Sequence, residues 1–272
     1  MRHPAVLPAD PSRRSVRLGQ RSVEYRLRRS ARSRGLRVTI DDRDGLVVSV
    51  PPEARRGWAR PEPRIEAFLR EREGWVLRHL DRRARERDVG RARGGARDGG
   101  RVPFRGDLHR IRVSRGASSS RRSRVERSGA EDGDELVIHL AAAERRPLER
   151  VLEAWFRERA AEAIAQAVAE HAAALGVEPS RIDIRDPRSR WGSASRNGRL
   201  MFSWRLILAP PASLATVVVH ELAHLRVFGH GPRFWGLVAA RRPAHLADRA
   251  WLRRNSHLVH GALEAWPDDE GA

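Results

Sequence analysis

The sequence predicts an α+β fold in which a small N-terminal sheet-and-helix subdomain precedes a mostly helical C-terminal part. Three observations lead there. Short segments with strand-like alternation gather in the first half of the chain, and apolar stripes of helical period stand at residues 62–87 and 146–175. From residue 146 onward the order is a long helix, a small sheet, one apolar helix and two short helices.

Residues 1–18 mix Pro, Ser and Arg without periodicity and read as a disordered tail. Val23, Tyr25 and Leu27 alternate with polar residues, as do Leu36, Val38 and Ile40, and Leu46 to Val50 follow the turn signal Asp44-Gly45. Three antiparallel strands are expected, ended by Pro51-Pro52. Ile65, Phe68, Leu69, Trp75, Val76 and Leu80 predict one helix over 62–87 that covers a face of this sheet. The Gly, Arg and Asp of 88–101 have the composition of a flexible connection. Short strands are expected at 102–105, 108–113 and 135–140, with an exposed loop over 115–134. The Ala-rich helix of 146–175 stops at Gly176, and strands follow at 182–184 and 199–207 through the turn region Arg190–Gly198. Ser213 is the expected N-cap of the next helix after Pro210-Pro211, and 232–241 and 243–254 form the last two helices. The resulting division is a tail at 1–18, an accessory β-rich region with one helix at 19–140, a C-terminal domain at 141–266 and an acidic tail at 267–272. No internal repeat stands out.

The 40% hydrophobic and 33% charged composition describes a soluble protein, without the run of ~18 apolar residues that a membrane span requires. Arg13, Arg14 and Arg17 interrupt the N-terminus where a secretory signal would need an apolar core, so the cytoplasm is the expected location and no membrane partner is expected. Without cysteine there are no thiolate ligands, and a metal must be held by His, Asp or Glu. The net charge of +19 is carried by arginine alone, a bias that genome composition produces as readily as a binding surface does.

The chemistry concentrates in residues 217–235. His220 and His224 are four apart and share a helix face, with Glu221 about 100° from His220 around the axis. This is the His-Glu-x-x-His arrangement, in which two imidazoles bind zinc and the carboxylate takes a proton from water. His230 is the candidate third ligand, because Gly229 can stop the helix and turn the chain back. His245, His257, His260, Asp248 and Glu264 are the other residues that could take that position. The spacing of the three His matches metzincins, but Val227 stands at their Gly and no Met follows Met201. Phe234 and Trp235 read as packing. Arg190 has two readings, as a stacked partner of Trp191 that pins a loop or as a substrate-facing cation that stabilises negative charge.

Arg190-Trp191-Gly192-Ser193-Ala194-Ser195, Leu200–Leu206, Ala209-Pro210 and the His motif through Phe234-Trp235 together resemble the YgjP-like metal-dependent hydrolases. These are relatives of SprT-like and other zincin metallopeptidases. The likeness is specific over 187–254 and loose over most of the chain. It departs at Ala194, where the family usually has Cys, and at Ser203, where it has Asn. The resemblance implies a zincin-like metallopeptidase domain, one zinc ion on His220, His224 and His230, Glu221 as catalytic base, Arg190 near the substrate, and a peptide or protein as substrate. A metal-dependent nucleotide pyrophosphatase is the alternative activity. A nucleic-acid-associated binding module is the alternative of another class, since the Arg-rich stretch 81–130 would attract phosphates without sequence preference.

Overall fold

The computed structural model describes residues 12–41, 45–115, 121–130, 133–187 and 189–264. The terminal segments 1–11 and 267–272, part of the 115–134 loop and Asp44 lie outside the described residues. The fold is α+β, as expected, and the chain divides into two compact units between Asp88 and Val89.

The first unit is built on a four-stranded sheet in the order β1-β2-β4-β3. Its strands are β1 (Arg13–Leu18), β2 (Arg21–Arg29), β3 (Arg37–Asp41) and β4 (Gly45–Val50). Residues 13–18 are therefore a strand and not a tail: Val16 and Leu18 point into the core opposite Val23 and Arg21, an alternation too short to stand out among the arginines. The sheet is also mixed, because β4 lies parallel to β2 and antiparallel to β3. Leu46, Val47, Val48 and Val50 are all buried, and a strand apolar on both faces belongs in the middle of a sheet. The helix expected over 62–87 is two helices, α1 (Glu62–Glu71) and α2 (Glu73–Arg93). They part at Arg72, just ahead of the poor helix former Gly74, and Ile65, Leu69 and Val76 join Trp58 in the core. Residues 88–93 continue α2, so the connection begins only at Gly94.

The second unit opens with a sheet of the same plan, ordered β5-β6-β8-β7 with a parallel central pair flanked by antiparallel ones. The strands are β5 (Arg101–Phe104), β6 (Asp107–Arg115), β7 (Arg124–Ala130) and β8 (Gly133–Leu140). The two sheets form a topological repeat invisible in the sequence, because pairing order constrains burial pattern and not residue identity. Part of the expected 115–134 loop is the edge strand β7, whose outward arginines mask its alternation. α3 (Leu148–Leu175) follows and ends at Gly176, which takes the left-handed conformation with φ 63° and donates to Ala172 O and Ala173 O.

A three-stranded sheet comes next, ordered β10-β11-β9, from β9 (Arg181–Arg185), β10 (Gly192–Ala194) and β11 (Arg199–Ser203). The strand expected to run to 207 stops at Ser203, whose hydroxyl accepts the Arg205 N–H and caps a 3-10 turn over Trp204–Leu208. The C-terminal helices are α4 (Pro211–His224), α5 (Pro232–Arg241) and α6 (His245–His260). Pro211 opens α4, and Ser213 is buried within its first turn instead of capping it. α4 ends at His224, five residues before Gly229.

One core joins Phe104, Ile111, Leu136 and Ile138 of the β5–β8 sheet with Phe156 and Ile164 of α3, Trp204, and Val218 and Leu222 of α4. At the β5–β6 turn, the N–H groups of Arg105 and Gly106 donate to Ile207 O (2.8 Å) and Leu208 O (3.1 Å), just ahead of α4. This sheet thus packs with the helices that follow it. The break expected between 140 and 141 falls inside one hydrophobic core, and the division lies at Asp88/Val89 instead.

Candidate active site

α4 carries the site because it is buried on nearly every side. Val217, Val218, Val219, Leu222 and Ala223 fill the core around it, each Val or Leu contributing roughly 1.5–3 kcal/mol. Thr216, one turn before His220, ties α4 to α6 through Asp248, and Arg242 donates to both Thr216 Oγ1 (3.1 Å) and Asp248 Oδ2 (3.2 Å). Asp248 is thereby committed to structure.

His220, His224 and His230 converge, with one ring nitrogen of each within 4.8 Å of the others. Among the described residues this is the one group of three or more ligand-type side chains with such spacing. His230 Nε2 stands 3.2 Å from His220 Nε2. Two ligands of a tetrahedral zinc at 2.0–2.1 Å are about 3.3 Å apart, so the spacing fits such an ion. Gly229 turns the chain back after α4 with φ 96°, a conformation that strongly favours glycine. His224 Nδ1 lies 3.3 Å from Val227 O. A carbonyl can only accept, so Nδ1 holds the hydrogen and the Nε2 lone pair is free to bind a metal. Phe234 is fully buried and forms the wall behind the triad, 4.4 Å from the His224 ring and 4.9 Å from those of His220 and His230. Burial, with the neighbouring His224 and His230, holds His220 down to about 4 and therefore neutral, as a ligand must be.

Glu221 is 6% exposed, and the cause of its perturbation is burial, which pushes the carboxyl up to about 7 against the opposing pull of the Arg190 charge. A carboxyl that prefers its proton in the fold weakens the fold wherever the unfolded chain would be ionised. In the metal-stripped protein this cost is absent well below pH 4.5, grows between pH 4.5 and about 7, and levels off above that at about 3 kcal/mol at most. The Glu221→Gln variant, stripped of metal, is therefore expected to gain thermal stability over the parent chain from pH 5 to pH 8. Melting curves of both in chelator would show a gap widening with pH, and a constant gap would contradict it.

The backbone of β10 lies directly against this carboxylate. A Cβ built on Gly192 would stand 2.7 Å from Glu221 Cγ and 2.8 Å from Oε1, closer than packed atoms allow. Gly192→Ala is expected to displace the Glu221 side chain, cutting turnover at least tenfold while metal content and fold stay intact. Metal analysis and circular dichroism beside the rate assay check this, and unchanged turnover would count against it.

Arg190 is exposed in the segment before β10, while Trp191 stacks on His260 with ring centroids 5.1 Å apart. Of the other ligand candidates, His245 is stacked on Trp235 and its Nδ1 faces Arg242 O at 3.0 Å. Ala194 is half-buried on β10, paired with Leu200. Gly192 and the Val227 carbonyl were missed from sequence. The Arg-Trp-Gly run was a signal for the first, and no signal marked the second.

No protein of curated function matches the chain. Among solved structures, the crystal structure of the metallopeptidase zymogen of Pyrococcus abyssi abylysin is similar at 19% identity, over 36% of this chain and 95% of its own, with a TM-score of 0.29. No helix among the described residues is long and apolar enough to cross a membrane. Residues 34–255 match the model of the YgjP-like metallopeptidase domain, and with most of its length inside that match the chain belongs to the YgjP-like family of metal-dependent peptidases.

Proposed function

We propose that the protein is a zinc-dependent peptidase that holds one ion on His220, His224 and His230 and uses Glu221 as general base. The observation that carries this reading is the convergence of the three imidazoles beside a buried carboxyl that shares α4 with two of them. Zinc supplies a Lewis acid that polarises the peptide carbonyl and acidifies water. Imidazole ligands suit it, and no thiolate competes.

The protein's own groups do the rest. Glu221, poised near neutrality by burial, accepts a proton from water and returns it to the leaving nitrogen. Gly192 leaves room for that carboxylate and Phe234 excludes water behind the ligands. Arg190 is the substrate-side cation whose field reaches Glu221.

An imidazole ligand set does not favour the pyrophosphatase, for which carboxylates and magnesium are the usual means. For the nucleic-acid reading, the Arg-rich stretch 81–130 is in large part built into α2 and the β5–β8 sheet. The test is metal analysis of the purified protein together with an unbiased peptide-library digest. Zinc at one per chain with chelator-sensitive cleavage is expected, and a zinc-loaded protein that cuts no peptide would overturn the reading.

A further inference from the structure

The acidic residues of the second unit are unevenly spent. Asp183 is held by Arg181 and Arg199, Asp186 by Arg205, and Asp248 by Arg242, all in ion pairs of 2.7–3.2 Å. Around the metal ligands the pattern reverses. Arg190, Arg196 and Arg249 come from three separate elements, are exposed, and have no carboxylate within ion-pairing distance among the described residues.

Each of the three is tied to the site by a contact or a field. Arg196, in the β10–β11 turn, lies 5.6 Å above the ring of Phe228, which is 54% exposed on the loop that delivers His230. Arg249 on α6 lies 4.2 Å above Trp235, whose ring is 5.6 Å from His220 and 5.7 Å from His230. Arg190 acts on Glu221 from the segment before β10. Aromatic faces hold the Arg196 and Arg249 guanidinium groups without neutralising them, leaving their donors free for a carboxylate. Among the described residues in these contacts, Glu221 is the acid, and it is buried.

We infer that this rim selects acidic peptide segments, with Arg196 and Arg249 as specificity-determining residues that receive Asp or Glu side chains flanking the scissile bond. The inference rests on the peptidase reading and adds the class of substrate. A surface that carries one sign of charge concentrates the opposite charge, and bidentate Arg–carboxylate pairing adds geometric choice. The preference acts through substrate binding and weakens as salt screens it, since the Debye length falls from about 30 Å at 0.01 M to about 8 Å at 0.15 M.

The test takes a core sequence returned by the library digest and flanks it with Glu in one quenched peptide and with Lys in another. The zinc-loaded full chain is expected to cleave the Glu peptide with kcat/KM at least tenfold higher at low salt, with the ratio shrinking as salt is raised. The double variant Arg196→Gln and Arg249→Gln is expected to lower the ratio at least threefold through KM, with kcat for the Glu peptide retained. Arg110→Gln, at an exposed position of β6, is the control for the general positive charge and is expected to leave the ratio in place. Equal cleavage of the two peptides, a Lys preference, or an Arg110→Gln effect as large as that of the rim variant would overturn the inference while leaving the peptidase standing. Failure to cut any peptide would instead remove the peptidase reading, and this inference with it.

Discussion

Glu221→Gln is expected to lower peptide hydrolysis by a factor on the order of 10²–10⁴ while metal content stays at that of the parent chain. The amide has the volume of the carboxylate and fits the same pocket beneath Gly192, so the packing around α4 is retained. It cannot take a proton from water, so on the proposed mechanism the substitution removes the base and nothing else. His220, His224 and His230 converge without Glu221, which is why the metal should remain. Turnover on a cleaved library peptide and zinc per chain are the two measurements. Loss of zinc in this variant would make Glu221 a ligand and leave the base unassigned.

The second large effect is expected at His230. His230→Ala should weaken zinc more than ~100-fold, because even residues that only support a ligand are worth 10–100-fold. His230 is exposed and sits outside any helix, so removing its ring should leave melting of the metal-free protein within about 0.5 kcal/mol of the parent. Competition against a chelator of known affinity measures the first quantity. Unchanged affinity would mean that another group completes the site, and Asp248 is already held by Thr216 and Arg242.

The motif was legible because its chemistry is local. A four-residue spacing puts His220 and His224 on one helical face whatever the remainder of the chain does, and Gly229 allows a return that brings in His230. α3 was legible to within two residues for the same reason, since a long apolar stripe and a terminal Gly176 are read without tertiary knowledge. What stayed hidden depends on partners distant in sequence. The parallel pairing of β2 with β4 follows from burial of both faces of β4, and the joining of the β5–β8 sheet to the helices depends on contacts such as Phe104 with Phe156, ring centroids 6.1 Å apart. Arginine on the solvent faces blurred β1 and β7, because its long apolar stem and charged head fit either a strand or a loop. The close approach of Gly192 to Glu221 links positions 29 apart, and no periodicity records it.

That approach also constrains the register of β10. β10 is three residues long and lies at the edge of its sheet, the kind of element free to slide along its neighbour. Among residues 190–194 only Gly192 lacks a Cβ, so a slip of one or two positions in either direction would thrust a side chain into the space of Glu221. On the proposed mechanism, Glu221 could then act as base only with the edge strand at the alignment that sets Gly192 against it, so activity would report the register of β10 as well as the presence of the metal.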